Sequence, residues 1–224
     1  MRNLTQCLIL LASLGFFGCD DDASEPEITT ASAPTNTAAP EAPTAFEWTD
    51  SPTAEMIPAG PPSGSANGQP FEAKSIFFEP VFDEWNLVIS DAELDSPTDL
   101  LRSGSQSVKI RLPQSLSTGT FTKAIDESGG GYWQVHSPDS ENPEDTTSWN
   151  APHAYVLQIT KWEVSPYDEQ GRLFQQAGTA SGRVVVVYRG REGGDFQNSW
   201  VAGTFEDVPV RYMGRPRWMQ QNDG

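Results

Sequence analysis

The 224 residues include only two histidines and two cysteines, and 14 basic residues stand against 31 acidic ones, a net charge of −17. Each shortage excludes something. A chain this acidic repels nucleic acid and anionic surfaces, which argues against nucleic acid as a partner. No GxSxG elbow, HExxH, P-loop or GxGxxG occurs anywhere in it. Serine hydrolase, zincin and nucleotide-binding chemistry therefore lose their usual sequence support. No apolar run reaches the roughly 20 residues of a spanning helix. No segment of ten or more residues carries a convincing helical period.

The N-terminus shows what is present. Met1 and Arg2 precede a short, mostly apolar run from Cys7 to Phe17, which ends at Gly18, Cys19 and three aspartates. A short apolar run with a positive start and a small residue before a polar tail has the pattern of a secretory signal peptide. The stretch LGFFGC, residues 14–19, resembles the lipobox of bacterial lipoproteins. It departs from the preferred pattern at Phe16, where Leu is usual, and at Phe17, where a small residue is usual. The alternative is an ordinary signal peptide with an incidental cysteine. The resemblance implies cleavage after Gly18. It implies lipidation of Cys19 by diacylglycerol and an acyl chain, with the membrane as partner through that lipid. Two or more acyl chains anchor a protein firmly, where one holds it only marginally. Cys7 would leave with residues 1–18, so no thiol would remain for a disulfide, a nucleophile or a metal. The acidic Asp20–Asp22 cluster implies two addresses. One is retention at the inner membrane facing the periplasm. The other, favoured by the acidic segment that follows, is the outer membrane or cell surface of the bacterial envelope.

Residues 19–68 are rich in Pro, Ala, Ser and Thr and hold nine acidic residues but no Lys or Arg. Such a composition predicts a disordered, extended tether. Phe46, Trp48, Met56 and Ile57 read as scattered apolar residues in that linker, the other reading being a sticky patch that docks on the domain.

Residues 69–218 predict one all-β domain, an antiparallel β-sandwich or small β-barrel of about eight strands, followed by a tail at 219–224. Strand chemistry bounded by turn residues marks 71–80, 85–90, 107–113, 119–125, 131–137, 154–164, 181–190 and 199–205, with 208–212 continuing or following the last. Val184–Tyr188 is apolar on both faces, which predicts a central strand or a second packed layer. One helical turn is expected at 97–102, capped by Ser96. The GTF triplets at 119–121 and 203–205 predict bends or bulges.

Few residues offer chemistry. His136 and His153 bracket a long loop with Asp139, Glu141, Glu144 and Asp145. Two imidazoles and a carboxylate, His136, His153 and Asp139, form a candidate divalent-metal set. The bland alternative is a polar surface loop. Trp133 and Trp149 would stack on a sugar or anchor a partner if exposed, or cover the end of the fold if buried. Trp85 and Trp200 belong to the core by their alternation. Glu206 and Asp207 sit at a strand end or in a solvated turn. Arg211, Arg215 and Arg217 form the one basic spot. The leading reading is therefore a lipid-anchored envelope protein with a non-enzymatic binding or structural β-domain, whose partner is a glycan or an envelope protein. An envelope glycan hydrolase working through paired carboxylates is the alternative, and a metal site at the His136/His153 loop is a third.

Overall fold

The computed structural model describes residues 45–94, 106–125, 131–136, 146–171, 173–193 and 196–220, with only the backbone of 131–136, 146–150 and 220. Cys19, Asp139, Ser96 and the expected helical turn at 97–102 lie outside the described residues, as do the leader and residues 19–44.

The strands are Ser63–Ala66 (β1), Gln69–Glu72 (β2), Ser75–Val81 (β3), Glu84–Ser90 (β4), Gln106–Leu112 (β5), Gly119–Lys123 (β6), Gly131–His136 (β7), Thr146–Ala151 (β8), His153–Val164 (β9), Phe174–Tyr188 (β10) and Ser199–Met213 (β11). A four-residue helix, Arg217–Gln220 (α1), follows. The fold is all-β, with more strands than the eight or so expected. The stretch 71–80 is broken at Ala73 and Lys74 into β2 and β3. The segments 199–205 and 208–212 are one long strand, β11.

A single sheet runs in the order β6-β9-β10-β11-β3-β4-β5-β7-β8, with β1 added to β11 and β2 to β1. Every pairing is antiparallel except β11 with β3, which is parallel and registers through Val210 and Phe78 alone. The sheet curls until its own strands face each other. β10 and β5 are four positions apart in that order, yet the Tyr188 hydroxyl donates to the Lys109 carbonyl at 3.3 Å. The Tyr155 hydroxyl on β9 donates to the Arg111 carbonyl on β5 at 3.2 Å. Trp162 on β9 meets Trp85 on β4 edge-on at 5.6 Å and Phe78 on β3 at 5.3 Å. Of the two expected forms, sandwich or small barrel, the curled sheet is partly barrel-like, and alternate residues of β3, β4, β5, β9, β10 and β11 fill it.

β10 explains why Val184–Tyr188 is apolar throughout. Val184, Val186 and Tyr188 point into the barrel, while Val185 and Val187 point out, and all five are fully buried. The outer pair is covered by the chain before β1. Phe46 (4 % exposed) and Ile57 (1 %) pack on Val185, Val187, Ala154, Val156 and Ala202, with Trp48 and Met56 beside them. Phe46 lies 5.2 Å from Trp200, and the Trp48 indole donates to the Tyr188 carbonyl at 3.1 Å. Asp50 pairs with Arg189 at 3.3 Å. The linker reading of Phe46, Trp48, Met56 and Ile57 is thus corrected. They form a strap on the outside of the sheet, and the folded chain starts well before residue 69. Composition missed this because four apolar residues spread over twelve positions do not outweigh the surrounding Pro, Thr and Ser in a window, although they suffice to cover one sheet face. Gly203 belongs to the same junction. Its φ is +157°, and a Cβ there would lie 2.5 Å from the Pro62 Cα at the end of the strap.

Candidate functional site

The alternation of inward residues changes parity midway along two long strands. In β9 it passes from Tyr155, Leu157 and Ile159 to Trp162 and Val164, and in β11 from Val201 and Phe205 to Val208, Val210 and Tyr212. A strand of period two changes faces only by inserting a residue, which makes a β-bulge. The extra residue in β9 is Thr160, because Ile159 registers with Gly182 and Lys161 with Ser181. In β11, Glu206 and Asp207 together oppose Ser181. The two bulges flank one residue of β10, so a kink crosses three neighbouring strands.

Local chemistry holds the kink. Asp207 takes φ +49°, in the left-handed region that Asp tolerates better than most residues. Its backbone N–H donates to the Ser181 hydroxyl at 2.9 Å, and the Thr160 hydroxyl donates to the Ser181 carbonyl at 3.2 Å. Lys161 spans Asp207 at 3.0 Å and Glu163 at 3.2 Å. Those hydrogen bonds, the one to Asp207 first, raise the ammonium above the usual lysine range.

The kink opens two surface clefts that share Thr204, Phe205, Glu206 and Asp207. The first, of about 460 Å³, lies where β11 exchanges one neighbour for another. β1 registers with it at residues 200–202 and β3 only at Val210. Its walls bring Lys74, Ser75, Phe77 and Arg211 opposite Glu206 and Asp207. The second, of about 410 Å³, lies over Thr160, Lys161, Ser181 and Arg183. Glu206 and Asp207 are thus neither at a strand end nor in a turn. They are exposed residues in the middle of β11, on the lip between the clefts.

Phe77 and Arg211 of the first cleft adjoin a buried polar and charged cluster whose other members, Glu79, Lys109 and Asn86, do not line the cleft. The Arg211 guanidinium lies over the Phe77 ring at 4.7 Å, and its buried Nη1 makes no hydrogen bond. Glu79, two residues along β3 on the same outward face as Phe77, is only 4 % exposed. Burial pushes its carboxyl above the usual range, against the pull of Lys109 and Arg211. Burial also lowers the Lys109 ammonium, opposed by Glu79. Asn86 registers opposite Glu79, and Glu79 Oε2 and Asn86 Oδ1 are both buried without a hydrogen bond. The two clefts present cations, carboxylates and hydroxyls side by side, a lining suited to a polar ligand. Glycoside hydrolysis needs two carboxylates facing each other across a gap. Glu206 and Asp207 are neighbours on one lip, and Asp207 is already engaged by Lys161.

The other candidates separate. His153 is 3 % exposed, and its ring stacks on Tyr188 at 5.7 Å and on Tyr155 at 6.3 Å. His136 registers opposite Thr146 on the β7–β8 hairpin. Asp139 and the His136 side chain lie outside the described residues, and among the described residues no three His, Cys, Asp or Glu gather as a metal set. Trp133 and Trp149 are direct register partners on β7 and β8, with side chains outside the described residues. Trp85 is buried and lies 5.9 Å from Trp218, while Trp200 is half-buried beneath the strap. The three arginines do not form one spot. Arg211 enters the cleft, Arg215 pairs with Glu169 at 3.2 Å, and Arg217 covers Phe82 at 5.5 Å. Glu206 and Asp207 were singled out in the sequence, beside the bend expected at 203–205, but Thr160, Ser181 and Glu79 escaped notice. The parity changes at Ile159/Trp162 and Phe205/Val208 were the signal for the kink. Nothing local marks Glu79, whose burial comes from strands distant in sequence.

No protein-family model, curated protein or solved structure matches this chain.

Proposed function

We propose that the chain is a lipid-anchored cell-envelope protein whose β-domain binds a polar ligand, a glycan or a segment of an envelope protein, without performing chemistry on it. The observation that carries the binding half is the pair of clefts at the bulges of Thr160 and Glu206–Asp207, which gather side chains of both charges at the surface. The interior is filled with tryptophan, tyrosine and aliphatic side chains, so binding falls to the outer surface. Cys19 carries the lipid, and the acidic residues after it favour the outer membrane or cell surface over the inner membrane.

The two halves are tested separately. Cells expressing the chain incorporate labelled fatty acid into it, and Cys19→Ala abolishes both label and membrane fractionation. Absence of label from the unaltered chain would overturn the anchor. Native mass spectrometry of the protein taken from its host retains a ligand, and Arg211→Ala with Lys74→Ala releases it. Retention undiminished in that double variant would remove the cleft from the account.

A further inference from the structure

Among the described residues the exposed large hydrophobic side chains are Phe82 (70 % exposed), Leu173 (65 %), Phe174 (52 %) and Met213 (38 %). All four lie at one pole of the barrel. Phe174 registers opposite Met213 where β10 begins and β11 ends. The Gly214 N–H donates to the Leu173 carbonyl at 2.7 Å. Phe82 joins them because β3 runs parallel to β11 and ends at the same pole, and because Arg217, four residues beyond Met213, lies over its ring at 5.5 Å. Phe82 takes φ +56°, a region that a bulky residue occupies only under strain. The backbone therefore holds this aromatic ring outward at a cost. The Trp48 end of the strap lies away from this pole, on Tyr188 at the other end of β10.

The charges around the patch choose its occupant. Exposed Asp83, Asp168 and Glu169 stand with exposed Arg217 at its rim. Those acids at the rim disfavour anionic lipid and nucleic acid. Glu169 is already paired with Arg215 at 3.2 Å, so across a two-fold axis Arg217 of each copy meets Asp83 and Asp168 of the other. We propose that this pole is a self-association surface, through which two copies of the chain dock end to end. The proposal is independent of the anchor and of the cleft.

A patch of four large side chains is at the small end of specific interfaces, so the expected dimer is weak, with a dissociation constant on the order of 10–100 μM. Sedimentation of the full chain in mild detergent across that range shows a concentration-dependent dimer. Phe82→Ser with Leu173→Ser weakens it at least tenfold and leaves the near-ultraviolet tryptophan signal unchanged. If that double variant loses the signal, Met213→Glu alone decides, with the same tenfold weakening expected. The proposal is overturned by a chain that stays monomeric up to 0.5 mM, by a dimer that these variants leave intact, or by a monomer that floats with phosphatidylcholine vesicles through this pole.

Discussion

β9, β10 and β11 bury both their faces, and the two burials differ in kind. The inner face is covered by the same sheet curled back on itself, so Leu157, Val184, Val186 and Val201 meet β3, β4 and β5 through the barrel interior. The outer face is covered by a strap of some fifteen residues, through Phe46 and Ile57, with Trp48 and Met56 beside them. The inner layer is knitted by contacts from six strands and cannot leave without opening the barrel. The outer layer hangs on a short segment at the edge of the fold, and can peel away while the sheet persists. Equal burial of neighbouring valines therefore conceals unequal consequences of losing them.

Mutation separates the two layers. Leu157→Ala, fully buried inside, costs about 2–5 kcal/mol, read as a fall in the denaturant midpoint at constant m-value. Ile57→Ala under the strap costs about 2 kcal/mol, at the lower end of the same range, because the exposed strap can settle into the space it leaves. Its distinguishing mark is dye binding. Val185 and Val187 become reachable below the global transition, so a hydrophobic dye reports binding at denaturant concentrations where far-ultraviolet strand signal is intact. A single coincident transition for both variants would show that strap and barrel unfold as one, and the contrast between the layers would fail.

Smaller effects sharpen the view of the outer surface. Glu79 has its carboxyl raised by burial, so the unfolded chain gives up this proton first as pH rises. Its contribution to stability is present below the ordinary carboxylate value of 4.5 and declines above it. Glu79→Gln, which keeps the shape of the protonated form, therefore raises the melting temperature at pH 7, and the gain closes as pH falls below 4.5. A gain constant across that window would place its origin elsewhere. Least of all, Asp207→Asn keeps the left-handed backbone and removes the exposed pair with Lys161. It lowers the denaturant midpoint only slightly, and the loss shrinks with added salt.

The strands expected at 107–113 and 154–164 are present as β5 and β9, because β-branched and aromatic residues bounded by turn residues mark a strand locally. The doubly apolar VVVVY pointed to a central strand or a second packed layer, and β10 has both. What covers the second layer was illegible, since the strap's apolar residues carry no period and sit in a composition typical of disorder. The kink was half legible. Parity shifts at Ile159/Trp162 and Phe205/Val208 were written in the sequence, but only pairing with Ser181 shows that the two bulges meet. Glu79 could not be found at all, because alternation assigns it to an outward and hence wet position on β3.

The sequence by itself determined the class of fold, the central place of β10 and the absence of familiar catalytic motifs. Those properties are local, set by residue type and spacing along one strand or one motif. The tertiary structure decided that the sheet curls on itself, that residues 46–57 close its outer face, that Thr160 and Glu206–Asp207 kink it at one place, and that four exposed hydrophobic side chains meet at one pole. Each of these depends on residues far apart in the chain arriving together. Such meetings follow from strand order and register, which the pattern along any single strand does not encode.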